Sequence, residues 1–124
     1  MKAIIVQPDS KQPVLLWQAV SDISFEPAEV LVAVRATAVN RADLLQARGQ
    51  YPPPAGVSEI LGLEMSGAVA AVGAEVENRH IGDRVLALLP GAAMQSMLPC
   101  TMSCCWICRK AGPGRGVRRC RRCG

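Results

Sequence analysis

The segment Glu29–Val39 constrains the fold more than any other part of the chain. Val30, Val32 and Val34 fall on one face of an extended strand, and small or branched apolar residues between them fall on the other. A strand with two apolar faces must be covered on both sides. We therefore predict a central, buried β-strand here.

Shorter strands are predicted on either side of it. Ala3–Val6 and Val14–Val20 are apolar runs that end at turn-forming residues. From Leu61 onward, small and β-branched residues alternate between turn signals at Gly73 and Gly82, which predicts a further pair of strands. These patterns together indicate a mostly β domain.

One short helix is predicted directly after the central strand. Asn40 is suited to the N-cap, and Asp43 is suited to the positive end of the helix dipole. Gly49 can end the helix in the left-handed conformation. Tyr51 then opens a stiff loop that contains three consecutive prolines.

Charge and cysteine are distributed very unevenly along the 124 residues. Residues 1–98 contain seven basic and all ten acidic residues, whereas the rest of the chain contains seven basic residues, no acid and all six cysteines. The body is thus a cysteine-free, slightly acidic sequence that requires no oxidising compartment. The N-terminus lacks the apolar core of a signal peptide, and no apolar run is long enough to span a membrane. We expect a cytoplasmic protein.

Three motifs follow one another along the chain. They are Ala38–Asp43 with Gly49–Tyr51, Leu61–Val69 with Val72–Gly73, and Gly82–Val85. Together they resemble the zinc-free quinone-oxidoreductase branch of the medium-chain dehydrogenase/reductase superfamily, a branch that includes the p53-inducible quinone reductases. The resemblance runs from Met1 to about Gly91 and implies a GroES-like, partly open β-barrel with one short helix.

The resemblance also implies a chemistry and a set of site residues. Zinc-dependent relatives carry a cysteine in the segment equivalent to 40–43 and a histidine beside the residue equivalent to Glu64; here the position of the histidine is Leu63, which offers no lone pair to a metal. The family implies that NADPH reduces a quinone or another conjugated carbonyl by hydride transfer. Asn40 and Asp43 are then expected to order the loop beside the nicotinamide and substrate, and Tyr51 to line the substrate cleft. For Asn40 and Asp43 a purely helix-capping role is the alternative, and Tyr51 is alternatively a packing aromatic.

The family's second half, a Rossmann nucleotide-binding domain, does not fit into the remaining length. We therefore predict a GroES-like domain at residues 1–91, no Rossmann domain, and a chain that is inactive alone. Residues 92–124 are predicted to be a disordered tail. With permitted codons, reading Ala92–Leu98 from one base earlier yields Gly-Gly-Tyr-Ala-Glu-Tyr-Ala, the continuation expected of the family, so out-of-frame translation is our hypothesis for its origin.

Other functions of the chain remain as alternatives. Four tail thiolates in two C-x-x-C pairs match a zinc site in number, but the spacing between the pairs is short for a zinc ribbon. Because basic residues lie nearby, such a module would bind nucleic acid. A regulatory fragment that pairs with a full-length reductase is a further alternative. We also expect an unpaired sheet edge at Val85–Leu89 through which the chain self-associates. The four cysteines of the alternative zinc site are Cys105, Cys108, Cys120 and Cys123.

Overall fold

The computed structural model describes residues 1–7, 12–101 and 103–107, together with the backbone of a two-residue strand at 121–122. It contains eight strands and one helix in the described residues. In chain order they are β1 (Lys2–Gln7), β2 (Val14–Ala19), β3 (Glu29–Thr37), α1 (Arg41–Ala47), β4 (Glu64–Val72), β5 (Arg84–Leu88), β6 (Met97–Thr101), β7 (Cys105–Ile107) and β8 (Arg121–Arg122).

The strands form two antiparallel sheets. β1 and β2 pair with one another, and the other six strands form a sheet in the order β6-β3-β4-β5-β7-β8. The larger sheet curls into a half-barrel. This arrangement confirms the predicted mostly β, partly open barrel with one short helix.

β3 lies between β4 and β6, as its two apolar faces predicted. Val30 and Val32 are fully buried, and they pack in one core cluster with Met65, Val69 and Val85 from the neighbouring strands. Breaks in the β3–β4 register fall between Leu31 and Val32 and between Val34 and Ala36. Irregularities of this kind bend a strand and help a sheet to curl.

The β1–β2 pair is joined to the larger sheet through the segment that precedes β6. The amide of Ile4 donates to the carbonyl of Met94 at 2.9 Å, and the amide of Ser96 donates to the carbonyl of Lys2 at 2.8 Å. An isolated bridge pairs Ala3 with Gln95. These bonds hold the β1–β2 pair in place beside the larger sheet.

Three strands of the larger sheet, β6, β7 and β8, lie beyond residue 91. Leu98 and Cys100 of β6 are buried against β3, and β7 pairs with Val85, Leu86 and Ala87 of β5. The prediction of an unpaired edge at Val85–Leu89 is therefore wrong for residues 85–87. The physical reason is that Cys-Trp-Ile is a short apolar run with a high preference for strands, so the segment assigned to the tail supplies the missing partner. The division at residue 91 and the out-of-frame origin of residues 92–124 stay predictions.

Within the described ranges, no helix is long and apolar enough to cross a membrane.

Candidate functional site

The end of β3 leads directly into the first of the predicted site residues. Asn40 is extended at the N-cap of α1, as predicted, and its amide donates to Oδ2 of Asp43 at 2.7 Å. Asp43 is the third residue of the helix, where a carboxylate can satisfy an amide that has no partner within the helix. The expected helix-end role of Asp43 is therefore present in the structure.

Asp43 also reaches across to the segment between the proline loop and β4. Its Oδ1 accepts a hydrogen bond from the amide of Gly62 at 2.9 Å, and its side chain is almost completely buried. Gly62 has a φ of +105°, and its carbonyl accepts from Ala93 at 3.0 Å. The carboxylate of Asp43 thus ties the start of α1 to the backbone at Gly62.

The side chain of Asn40 points to Glu64 rather than towards open solvent. Its Nδ2 donates to Oε1 of Glu64 at 2.9 Å, and the hydroxyl of Thr37 donates to the backbone carbonyl of Glu64 at 2.8 Å. We call Asn40, Asp43 and Glu64 the polar network. Glu64 and Thr37 also line a small cavity of about 180 Å³ beside Ser66. The network therefore holds one amide and two carboxylate side chains in fixed positions at the start of α1 and the start of β4.

A larger, apolar cleft opens between the β1–β2 pair, the end of β3 and the helix. Its volume is about 520 Å³, and Asp43 lies in its wall. Half-exposed apolar side chains contribute much of the lining, among them Leu15, Trp17 and Leu44. The cleft therefore presents apolar surface with a single buried carboxylate at its side.

Gln95 adds a polar atom to the same cleft that the sequence did not indicate. It is almost completely buried, it lines the cleft, and its Oε1 has no hydrogen-bond partner in the described part of the chain. Glutamine is normally a surface residue, so its residue type gave no sign that Gln95 is buried. An apolar ligand with one N–H or O–H donor would satisfy this acceptor.

Tyr51 stands apart from the other predicted residues. It is half exposed in the loop after α1 and is not among the residues that line either the cleft or the small cavity. The structure brings Asn40 and Asp43 together with Glu64, but it does not bring Tyr51 to them. A contact between Tyr51 and substrate stays a prediction.

Comparison with known proteins agrees with this fold. Residues 26–120 match the alcohol dehydrogenase GroES-like domain. The chain belongs to this family. The GroES-like domain is 44% identical over 84 residues to erythronolide synthase EryA2 of Saccharopolyspora erythraea, a match that covers 60% of this chain and 2% of that protein.

Solved structures of two enzymes have the same fold as this GroES-like domain. Escherichia coli quinone oxidoreductase in complex with NADPH superposes with a TM-score of 0.65 and 28% identity, covering 77% of this chain and 29% of that one. JamJ enoyl reductase superposes with a TM-score of 0.66 and 27% identity, covering 73% and 30%. The chain thus spans less than a third of these two enzymes.

One of the four cysteines proposed as zinc ligands lies in the described part of the domain. Cys105 is fully buried in the core cluster, which also contains Cys100. The neighbouring Cys100 thiol and the Arg79 guanidinium lower the pKa of Cys105, whereas the neighbouring Cys105 thiol and burial raise the pKa of Cys100. Cys108, Cys120 and Cys123 lie outside the described residues. The Cys105 thiol is enclosed by this core cluster and is not exposed to a metal ion in solution.

We expect weak zinc binding from this arrangement. Titration of the reduced chain with Zn²⁺, followed by competition with a chromophoric chelator and by circular dichroism, should give an affinity weaker than about 1 μM with no gain of structure, because a structural site usually binds far more tightly and folds its ligands. The variant Cys105→Ser should bind Zn²⁺ as the parent does. Sub-micromolar affinity that Cys105→Ser abolishes would instead support the zinc module.

Proposed function

We propose that this GroES-like domain forms the substrate side of an NADPH-dependent reductase that acts on quinones or other conjugated carbonyls. The observation that carries the proposal is the polar network: Asn40 and Asp43 are the residues expected to order the loop beside the reacting groups, and both are held in fixed geometry, with Asn40 bonded to Glu64. Catalytic groups act best when their positions are set before the substrate arrives.

The identity of the residues in this network supports a reaction that uses no zinc. Leu63 precedes Glu64 where zinc-dependent relatives carry a histidine, and residues 40–43 contain no cysteine. The carboxylate of Glu64 already accepts a hydrogen bond from the neutral amide of Asn40. Amide and leucine side chains are poor partners for Zn²⁺, which prefers thiolate and imidazole.

NADPH, when bound, supplies the hydride. The described residues fit the nicotinamide end of this cofactor, because the small cavity beside the network combines apolar walls with the hydroxyls of Thr37 and Ser66. In this proposal Asn40 and Glu64 hold the wall on which the ring and the substrate carbonyl meet, and Asp43 keeps α1 in place. We assign the diphosphate to a separate nucleotide-binding domain, as in the superfamily that the sequence resembles. A cytoplasmic location completes the proposal.

The proposed class of acceptor is drawn from the comparisons rather than from the cleft. Both a quinone oxidoreductase and an enoyl reductase share the fold at similar identity. The two substrates have in common a carbon–carbon double bond conjugated to a carbonyl, to which a hydride adds. We therefore propose the class and not a single member.

The 124-residue chain alone should show no NADPH-dependent reduction of small quinones or of enoyl thioesters. Hydride transfer requires the nicotinamide to be held against the acceptor, and the proposal places the diphosphate site in another domain. The measurement is loss of NADPH absorbance at saturating acceptor. Saturable turnover by the chain alone would overturn this division of labour.

A fusion of the chain to the nucleotide-binding domain of the Escherichia coli quinone oxidoreductase should have the reductase activity that the chain alone lacks. In this fusion Asn40→Ala should lower kcat/KM by at least about tenfold, or about 1.4 kcal/mol of transition-state stabilisation. Asn78→Ala is the matched control, since Asn78 lies on the exposed loop before Arg79. An active fusion that responds equally to both substitutions would remove Asn40 from the site.

A further inference from the structure

Two buried thiols lie on either side of the turn that joins β6 to β7. Cys100 is in β6 and Cys105 begins β7, and the amide of Cys104 donates to the carbonyl of Thr101 at 3.2 Å in the turn between them. Cys100 and Cys105 flank this turn, and both side chains are buried in the same core cluster. Cys104, by contrast, is partly exposed.

A buried arginine is packed against the same pair. Arg79 is almost completely buried, and its Nη2 donates to the carbonyl of Cys105 at 2.8 Å while its Nη1 donates to the carbonyl of Asn78 at 2.9 Å. Its Nε has no partner in the described residues, and no carboxylate of those residues forms an ion pair with it. A buried guanidinium without a carboxylate is unusual, because burial of a charge is expensive unless the charge is compensated. The structure therefore holds the start of β7 beside the Arg79 guanidinium, whose charge has no carboxylate partner in the described residues.

We propose that Cys100 and Cys105 are a disulfide-forming pair, oxidised by a small-molecule disulfide. The Cys105 thiolate attacks one sulfur of the oxidant, so that a mixed disulfide forms and one small thiolate leaves. Cys100 then loses its proton and its sulfur attacks the Cys105 sulfur, which releases the second small thiolate. The two protein thiols lose two electrons, and the oxidant gains them as it becomes two small thiols.

The position of the pair gives the cross-link a structural effect. β6 is bonded to β3 and β7 is bonded to β5, so these strands lie on opposite sides of the β3–β4–β5 part of the sheet. A bond between Cys100 and Cys105 would join β6 and β7 covalently, although no backbone pairing joins these two strands. The turn at Thr101 and Ser103 is exposed, so local opening there gives an oxidant access to the thiols.

Chemical cleavage can locate this bond. Cyanogen bromide cuts after Met102 and separates Cys100 from all later cysteines unless a disulfide joins the fragments. In a background with Cys108, Cys120 and Cys123 changed to serine, treatment with hydroxyethyl disulfide followed by alkylation should leave the two fragments joined until a reductant is added. The oxidised protein should also unfold at a temperature about 5 °C or more above that of the reduced protein.

Cysteine variants decide which thiols take part. In the same background Cys104→Ser, the matched control, should keep the joined fragments, whereas Cys105→Ala should lower their yield at least about tenfold. Circular dichroism checks that Cys105→Ala remains folded, and Cys100→Ala provides the reciprocal loss if it does not. Equal yields from the Cys104 and Cys105 variants, or free alkylation of Cys100 in the treated parent, would overturn the proposal.

Discussion

Asp43→Ala should lower the free energy of unfolding by about 3 kcal/mol. The substitution leaves the amides of Asn40 and Gly62 without their acceptor, and the bond to Gly62 lies in the protein interior. A buried donor that loses its partner costs about 1–3 kcal/mol, and bonds to charged groups are at the upper end. Urea unfolding followed by circular dichroism measures the change.

Asp43→Asn should have a smaller effect than Asp43→Ala, because one amide oxygen can still accept from one of the two backbone donors. Asp22→Ala is the matched control at an aspartate whose side chain is 94% exposed, and it should change stability little. If Asp43→Ala and Asp22→Ala have similar effects, Asp43 does not connect the helix to the cleft as described. The assignment of the polar network would then fail with it.

Gly62→Ala should destabilise the domain by about 3 kcal/mol or more. A Cβ at this position would lie 2.7 Å from the backbone nitrogen of Met94 and 2.9 Å from Cβ of Ala93. Neither neighbour can retreat easily, because the amide of Met94 donates to Leu61 at 2.8 Å and that of Ala93 donates to Gly62 at 3.0 Å. The cost combines about 1–2 kcal/mol for the left-handed backbone with about 1–3 kcal/mol for overpacking.

Gly82→Ala separates these two contributions. Gly82 also has a positive φ, of +91°, but a Cβ there would have no neighbour within 4 Å. This variant should therefore lose about 1–2 kcal/mol, from the backbone strain alone. Thermal unfolding of the two variants under the same conditions makes the comparison. Equal losses would show that the backbone at Ala93 and Met94 yields to the new methyl group.

Local sequence features proved sufficient for the elements that depend on local physics. The two apolar faces of β3 predicted its central position, and the order of Asn40, Asp43 and Gly49 predicted the start and end of α1. Caps and strand periodicity act over a few residues, so one sequence is enough to detect them. The same patterns placed Asn40 and Asp43, two of the three residues of the polar network, at the N-terminal end of α1.

Contacts between distant segments were not visible in the sequence. The partner of Asp43 is an amide 19 residues away, and nothing around Gly62 indicates a bond to a carboxylate. The strand β7 was missed because basic and glycine residues dominate the composition of the tail and mask a three-residue apolar run. Arg79 was missed because arginine between Asn78 and His80 is typical of a solvated loop, whereas the fold buries it.

The pairing of β3 with β6 has a consequence for synthesis on the ribosome. Glu29 pairs with Thr101, so one edge of the most apolar strand waits for a partner that is translated much later. At about 5–20 residues per second, this interval lasts roughly 4–14 s. During that time the nascent chain can pair β3 with β4, but the other edge of β3 stays open to chaperones or to neighbouring chains. The yield of folded protein should therefore depend on translation speed and on holding factors more strongly than its final stability would suggest.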